Sequence, residues 1–145
     1  MSHAQEITVE VLVNRDVRTA WDAFTSPQAI TQWNFASPDW RCPKAENDLR
    51  VGGQFSYRME SRDGSMGFDF TGKYTEIRHL ERIRYSLGDE REVVIDFQGE
   101  NGKTKVIETF VAEATSSHEQ QKGGWQAILD NYKKYVEGNA AERER

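Results

Sequence analysis

The chain has 145 residues, 37% of them hydrophobic and 30% charged, which suits one domain with a core of its own. Its formal net charge is −5 with no cluster of Lys and Arg, which argues against nucleic acid and against an anionic membrane surface. No apolar run reaches a membrane span, no signal peptide is evident and Cys42 is the single cysteine, so we expect no membrane insertion and a cytoplasmic location.

The first elements are predicted to be one strand and two short helices. Apolar and polar side chains alternate over residues 6–13, which is the period of a half-buried strand. Asp16 can cap a helix whose apolar residues recur at i, i+3, i+4 and i+7 from Val17. Ser26 and Pro27 are residue types favoured at the N-cap and the first turn, so they predict the start of a second, brief helix.

Residues 34–48 are predicted to form a loop, because prolines, Ser, Asn and Asp interrupt any periodicity. A loop of about fifteen residues is long for a compact domain, and long loops often act as lids or binding loops. Phe35 and Trp40 are large apolar side chains in this polar segment, so we interpret the loop as a lid. Cys42 is interpreted as a half-buried structural residue rather than a reactive thiol.

Five strands are predicted to follow, separated by turn signals such as Gly88-Asp89 and Asn101-Gly102. They lie near residues 54–59, 68–75, 82–87, 91–98 and 103–113. Because consecutive strands joined by hairpins pair in space, these strands and the first one should form a six-stranded antiparallel sheet.

The longest helix is predicted over residues 117–138, with Ser117 or Ser116 in a capping box and Gly138 at its end. The polar residues 139–145 are expected to fray. Its apolar stripe is Trp125, Ile128, Leu129, Tyr132 and Val136. Since only this helix is long enough to cover the sheet, we expect one α+β domain over 1–145, a curved sheet wrapped around a C-terminal helix.

Short sequence landmarks follow one another along nearly the whole chain. They are Val17–Thr25, Ser26-Pro27, Ile30 to Trp33, Gly52-Gly53 with Phe55, Gly72-Lys73-Tyr74, and Gly124-Trp125 to Leu129. Together they resemble the START-like (helix-grip, SRPBCC) superfamily, in the subfamily named for the activator of heat-shock-protein ATPase. The resemblance implies the helix-grip fold and a hydrophobic pocket between sheet and C-terminal helix, used across the superfamily for lipids, polyketides, aromatic compounds and hormones. Some relatives are cyclases, and the namesake co-chaperone activity belongs to larger eukaryotic proteins.

Aromatic side chains are the most informative group for a binding site. The candidate ligand-binding residues are Trp33, Phe35, Trp40, Phe55, Tyr57, Phe68, Phe70, Tyr74 and Trp125. The five on adjacent strands exceed what a sheet–helix interface requires, and their flat faces suit a planar ligand. The alternative is that the rings fill the interior themselves. Tyr57, Tyr74 and Asn34 are candidates to orient polar groups of a ligand, whereas Trp21 and Phe24 are interpreted as core.

Glu108 is the candidate for acid–base chemistry. It shares a strand face with Val106 and Phe110, but Ile107 and Val111 on the other face are apolar too, so its orientation stays open. Burial would raise the pKa of its carboxyl and make it a candidate general acid or base.

Two glycines, Gly123 and Gly124, lie inside the predicted long helix, where each costs about 0.5–1 kcal/mol relative to Ala. Close packing against a neighbouring element is the preferred explanation, and room for a ligand is the alternative.

Asp69 is expected to face solvent by strand alternation.

No metal and no cofactor are expected. The three histidines, His3, His79 and His118, are far apart and lack metal-ligand spacing. No phosphate loop, dinucleotide fingerprint or nucleophile elbow is present.

The sequence therefore favours a domain that binds a small hydrophobic ligand, lipid-like or aromatic, without catalysis. One alternative is a cyclase- or hydrolase-type enzyme that uses Glu108 or a pocket tyrosine. A further alternative is a co-chaperone-like interaction module, which would need a contiguous exposed apolar patch. Monomer and homodimer are both compatible with the sequence.

Overall fold

The structure, a computed structural model, describes residues 6–88, 91–112 and 117–143. The elements in chain order are β1 (Glu6–Val13), α1 (Val17–Thr25), α2 (Pro27–Trp33), β2 (Trp40–Asn47), β3 (Gln54–Ser61), β4 (Gly67–Arg78), β5 (Arg82–Leu87), β6 (Glu92–Glu100), β7 (Lys103–Val111) and α3 (His118–Arg143). None of the helices in these ranges is long and apolar enough to span a membrane.

The strands form one antiparallel sheet in the order β1-β7-β6-β5-β4-β3-β2. From β2 to β7 every strand pairs with its neighbour in sequence, and β1 joins the far edge beside β7. This arrangement confirms the predicted helix-grip class, with the two short helices after the first strand and the long helix at the end.

The sheet has seven strands within the described residues, one more than predicted, because much of segment 34–48 is β2. The interpretation of this segment as a fifteen-residue loop, and as a lid, is therefore wrong. The register of β2 against β3 shifts between Arg41 and Lys44, so Cys42 and Pro43 lie in an irregularity of the edge strand. A proline is tolerated there because an edge or bulge position does not need its missing N–H. The bulge and the partial exposure of β2 remove the alternation that would have revealed a strand.

The orientation of β7 is decided by its pairing with β1 and β6. Val106, Glu108 and Phe110 point to the interior, whereas Ile107 and Val111 are only half-buried. Glu108 lies beside Val9 of β1 and Ile95 of β6. The carboxyl is thus placed on the apolar inner face of the sheet.

Helix α3 packs mainly against β1 and the two short helices. Leu129, Tyr132 and Val136 of its apolar stripe are fully buried. The Tyr132 hydroxyl donates a hydrogen bond to the Ala20 carbonyl of α1, and Lys133 donates to the Leu12 carbonyl of β1. The helix is therefore fixed over one half of the sheet and leaves the half around β3–β5 without direct helical cover.

The predicted starts of all three helices are confirmed, and α2 begins at Pro27 with Ser26 as its N-cap. Side-chain oxygens cap the other two helices. The Asp16 carboxylate accepts from the Thr19 N–H at the start of α1, and the Ser117 hydroxyl accepts from the Gln120 N–H at the start of α3. Ser116 lies outside the described residues.

The end of α3 differs from the prediction, since the helix continues to Arg143 instead of ending at Gly138. A glycine ends a helix when it adopts positive φ, and Gly138 does not.

The prediction of a turn at Asn101-Gly102 is confirmed, because both residues have positive φ, at 54° and 77°. The predicted turn at 88–89 extends into residues outside the described part.

Candidate functional site

A cavity of about 230 Å³ lies between the β3–β5 half of the sheet and α3. Nine of the fifteen residues that line it are aromatic, and Glu108 alone among them carries a carboxyl group. The interior of the protein is thus not filled by its own rings, and the aromatic surface faces open space.

Seven of the nine candidate ligand-binding residues line this cavity. They are Trp33, Phe55, Tyr57, Phe68, Phe70, Tyr74 and Trp125. Phe35 and Trp40 do not line it. Phe35 packs partly buried against the core, and its carbonyl accepts a hydrogen bond from Asn131 of α3. The ring of Trp40 packs against Phe68 with centroids 6.1 Å apart.

Six lining residues were not among the candidates for the site. They are Phe24, Thr25, Met59, Ile83, Tyr85 and Ile128. Ile83 and Tyr85 alternate with polar residues in β5, which indicates that they share one face of the strand. Because β5 pairs with β4, that face continues the aromatic face of β4, and this continuity could have identified both residues. Phe24 belongs to the partly buried core, as expected, and also borders the cavity.

Phe55 lies at the centre of the aromatic wall. Its ring stacks on Tyr57 at 4.7 Å and meets Tyr85 edge-on at 4.8 Å, with Tyr74 at 5.4 Å. Gly72 lies opposite Phe55 in β4, and a Cβ at that position would collide with the Phe55 ring. Glycine at position 72 therefore allows the Phe55 ring of β3 to lie over the backbone of β4, which holds this ring in its position in the cavity wall.

Trp125 forms the side of the cavity that belongs to α3. Its ring stacks on Phe110 of β7 with centroids 4.0 Å apart and planes within 14°, and it meets Phe70 of β4 edge-on at 6.4 Å. Trp125 therefore joins the helix to strands on both sides of the cavity.

The cavity opens to solvent near the start of β4. Phe68 lines it although the residue is 50% exposed. The exposed Phe68 ring therefore borders the entrance.

Glu108 is the lining residue whose pKa is shifted into the neutral range. It is only 6% exposed, and burial raises the pKa of its carboxyl to about 8. No described residue donates a hydrogen bond to this carboxyl. At neutral pH Glu108 is therefore mainly protonated and offers one O–H donor to the interior.

The phenols around the cavity remain neutral. Burial raises the pKa of Tyr57 well above its ordinary value, and the neighbouring Tyr74 hydroxyl adds to the shift. Burial also raises the pKa of Tyr85, with a further contribution from Glu108. Asn34 lines the cavity, and its amide nitrogen lies 3.5 Å from the Met59 sulfur. The polar groups of the cavity are thus a few hydroxyl, amide and carboxyl groups on an apolar wall.

Gly123 and Gly124 do not pack closely against another element. A Cβ at either position would meet no atom within 4 Å, and neither residue lines the cavity. Both explanations suggested by the sequence, close packing and room for a ligand, are therefore wrong.

The remaining candidates lie apart from the cavity. Cys42 is buried, and burial raises the pKa of its thiol, which supports the structural interpretation. Asp69 is exposed, as expected, and its carboxylate lies 3.5 Å from the Arg58 guanidinium. His79 is exposed and meets the Trp21 ring edge-on. Within the described ranges, no three His, Cys, Asp or Glu side chains are grouped as metal ligands.

Both the sequence and the fold of this chain are similar to those of known proteins. The family model of Activator of Hsp90 ATPase homolog 1-like protein matches residues 14–137. The AHSA1-like protein from Aeromonas hydrophila is 42% identical, with 94% of each chain covered and a TM-score of 0.88. A protein from Cytophaga hutchinsonii is also 42% identical, again over 94% of each chain, with a TM-score of 0.80.

A more distant structure shares the fold alone. A protein from Nitrosomonas europaea is 17% identical, with 97% of this chain and 99% of the other covered, and a TM-score of 0.82. A comparison with functionally curated proteins gives no match.

Proposed function

We infer that this chain, which belongs to the family of Activator of Hsp90 ATPase homolog 1-like proteins, binds a small apolar ligand in the cavity between the sheet and α3. The observation that carries the proposal is the open space of about 230 Å³ bordered by nine aromatic residues. The START-like fold, which is that of a ligand-binding family in general, supports the same function.

The size of the cavity indicates the size of the ligand. An engineered apolar cavity of roughly 150 Å³ takes up benzene, so a space of about 230 Å³ suits a compound of one or two fused rings. Burial of apolar area would stabilise such a complex by about 25 cal/mol per Å². Because the rings around Phe55 already pack on one another, little side-chain ordering opposes binding.

Binding can be measured by native mass spectrometry and by thermal shift with indole and naphthalene as probes. A ligand at 100 times its dissociation constant stabilises a fold by about 2.7 kcal/mol. For a chain of this length we expect the melting temperature to rise by roughly 5–10 °C.

A variant that fills the cavity tests the location of the site. Ile128 lines the cavity from α3, and Ile128→Trp should abolish the thermal shift while the protein remains folded by circular dichroism. Leu12→Trp, at an exposed position of β1, is the matched control and should keep the full shift. Equal shifts in both variants would place binding elsewhere, and no shift in the wild type with a broad apolar library would refute the proposal.

A second candidate function is acid–base catalysis by Glu108, and the observation that favours it is a carboxyl of pKa about 8 at the cavity wall. A group that titrates near neutral pH can accept or donate a proton during a hydrolysis or cyclisation. The tyrosines are weaker candidates for a base, because burial raises the pKa of Tyr57 and Tyr85.

Hydrolysis of 2-naphthyl acetate by water tests this second candidate. As general base, Glu108 would remove a proton from the attacking water, so the rate should rise with pH and level off above about 8. Glu108→Gln should abolish the reaction while 2-naphthol still binds. Turnover equal to that in buffer, or unchanged in the variant, would exclude the carboxyl as the base for this ester.

The co-chaperone-like alternative would require a contiguous apolar surface. The large apolar residues exposed within the described part are Leu12, Leu49, Val51, Met66 and Phe68. They lie in three separate segments of the chain, in β1, before β3 and around the start of β4. Of these residues Phe68 lines the cavity, so its exposure supports ligand entry rather than a docked protein.

A further inference from the structure

The charge of the cavity limits the ligands that it can accept. Of the described residues that line it, none is Lys, Arg or His, and Glu108 is the one with a carboxyl group. A carboxylate or phosphate carried into this space would find no cation to pair with. Burial of an unpaired charge is strongly unfavourable, so an anionic head group such as that of a fatty acid is disfavoured.

The aromatic wall favours a cation instead. The face of an aromatic ring carries partial negative charge, and ammonium groups bind over such faces. Phe55, Tyr57 and Phe70 present neighbouring rings with centroids 4.7–6.5 Å apart on the same wall. The ring faces and the carboxyl therefore attract charge of the same sign.

We propose that the ligand of this cavity is an organic amine, whose ammonium group pairs with the Glu108 carboxylate while its apolar body lies against the rings of Phe55, Tyr57 and Phe70. This assignment rests on the proposed binding function and adds the chemical class of the ligand. A carboxyl without a donor among the described residues is the polar position that the ammonium group satisfies.

Pairing changes the protonation of Glu108. Before binding, at neutral pH, the carboxyl holds a proton and the amine in water is already an ammonium ion. Formation of the ion pair transfers the carboxyl proton to the solvent, so one proton is released for each amine bound.

No other group near Glu108 is expected to titrate in the same range. The ionisable groups that face it are Tyr85 from β5 and Tyr132 from α3, and burial raises the pKa of both phenols well above the ordinary value. Its strand neighbours Val9 and Ile95 are apolar. Among the groups of the protein that face it, Glu108 is therefore the one expected to govern the pH dependence of amine binding.

The proposal is tested with three probes that share one apolar body: 2-naphthylmethylamine, 2-naphthylmethanol and 2-naphthoic acid. Near pH 8 we expect the amine to bind the wild-type protein at least about tenfold more tightly than the alcohol, with no measurable binding of the acid. Amine affinity should rise about tenfold from pH 6 to 7, because the ionised fraction of Glu108 rises tenfold. Calorimetry in buffers of different ionisation heat should show about one proton released near pH 7.

Glu108→Gln is the matched variant, since it keeps the shape of the side chain and removes its charge. It should bind the amine at least about tenfold more weakly than the alcohol, because the ammonium group would be buried without a counter-charge, and its affinity for the alcohol should not depend on pH over this range. The comparison of probes on the wild-type protein stands even if this variant does not fold.

The outcomes separate the two proposals. If the alcohol or the acid binds as tightly as the amine, the amine assignment is wrong and the cavity remains a binding site. If the preference for the amine persists unchanged in Glu108→Gln, the carboxyl is not its partner and the assignment also fails. If none of the three probes binds, and indole and naphthalene do not bind either, the binding function itself is refuted.

Discussion

The two halves of the sheet are covered in different ways. Over β1, β7 and β6, the inner face carries mostly branched aliphatic side chains, and the helices that cover it contribute fully buried residues such as Leu129 and Val136. Over β3, β4 and β5, the inner face carries large aromatic residues, and a cavity of about 230 Å³ lies between them and the helix. Branched aliphatic side chains interdigitate with a helix surface, whereas stacked rings form a rigid wall that a helix cannot approach closely. The first half stabilises the fold and adds Glu108 to the cavity, and the second half provides the aromatic wall.

The largest difference between the halves should appear at two adjacent residues of α3. Leu129 is fully buried on the packed side, so Leu129→Ala should lower the free energy of unfolding by about 2–5 kcal/mol. Ile128 is half-buried and borders the cavity, so Ile128→Ala should cost about 1 kcal/mol. Urea unfolding measures both, and equal losses would mean that the cavity side is as tightly packed as the other.

The next expected effect is a pH dependence of stability caused by Glu108. Strand β7 belongs to the packed half of the sheet but places this carboxyl at the cavity. The pKa of its carboxyl is about 8 in the folded protein, whereas the ordinary value of a glutamate side chain, which applies to the unfolded chain, is 4.5. The folded state therefore holds a proton that the unfolded state has lost, so this group destabilises the fold as pH rises from 4.5 through 8. Glu108→Gln does not titrate, and its stability relative to the wild type should increase by about 1.4 kcal/mol per pH unit between these values.

Urea unfolding of both proteins at several pH values measures this slope. A constant difference between wild type and Glu108→Gln across the range would show that the carboxyl is ionised in the folded protein, with a donor supplied by the solvent or the cavity.

A smaller difference is expected between two buried tyrosines. Tyr132→Phe removes the hydrogen bond from α3 to the Ala20 carbonyl, and we expect a loss of about 1 kcal/mol in the free energy of unfolding. Tyr85→Phe, on the cavity side, removes a hydroxyl for which the described residues provide no hydrogen bond, so its stability should change less. A larger loss for Tyr85→Phe would indicate that its hydroxyl is bonded within the cavity.

The smallest effect should be a gain in stability at Gly124 of α3, where an added side chain has room. Gly124→Ala places a Cβ in open space and adds helix propensity, so it should stabilise the protein by about 0.5–1 kcal/mol. Ligand binding should not change, because Gly124 does not line the cavity. Destabilisation by this substitution would show that the backbone at this position is not an ordinary helix.

Much of the fold could be predicted from local patterns. Alternation revealed β1 and the strands from β3 to β7, and the Asn101-Gly102 turn was evident because few other residues adopt positive φ. β2 could not be recognised in this way, since it is an edge strand with Pro43 in an irregularity and has no regular buried face. The end of α3 was missed because a glycine does not end a helix unless its backbone turns.

For the site, the sequence by itself determined that large aromatic residues would occupy one face of adjacent strands, because alternation along a strand is a local property. Only the tertiary structure decided that Tyr85 and Ile128 join them, that Phe35 and Trp40 do not, and that Glu108 faces the interior. Each of these outcomes depends on which elements pack on either face of a strand. That packing is set by contacts between residues distant in the chain, so a pattern of neighbouring residues does not contain it.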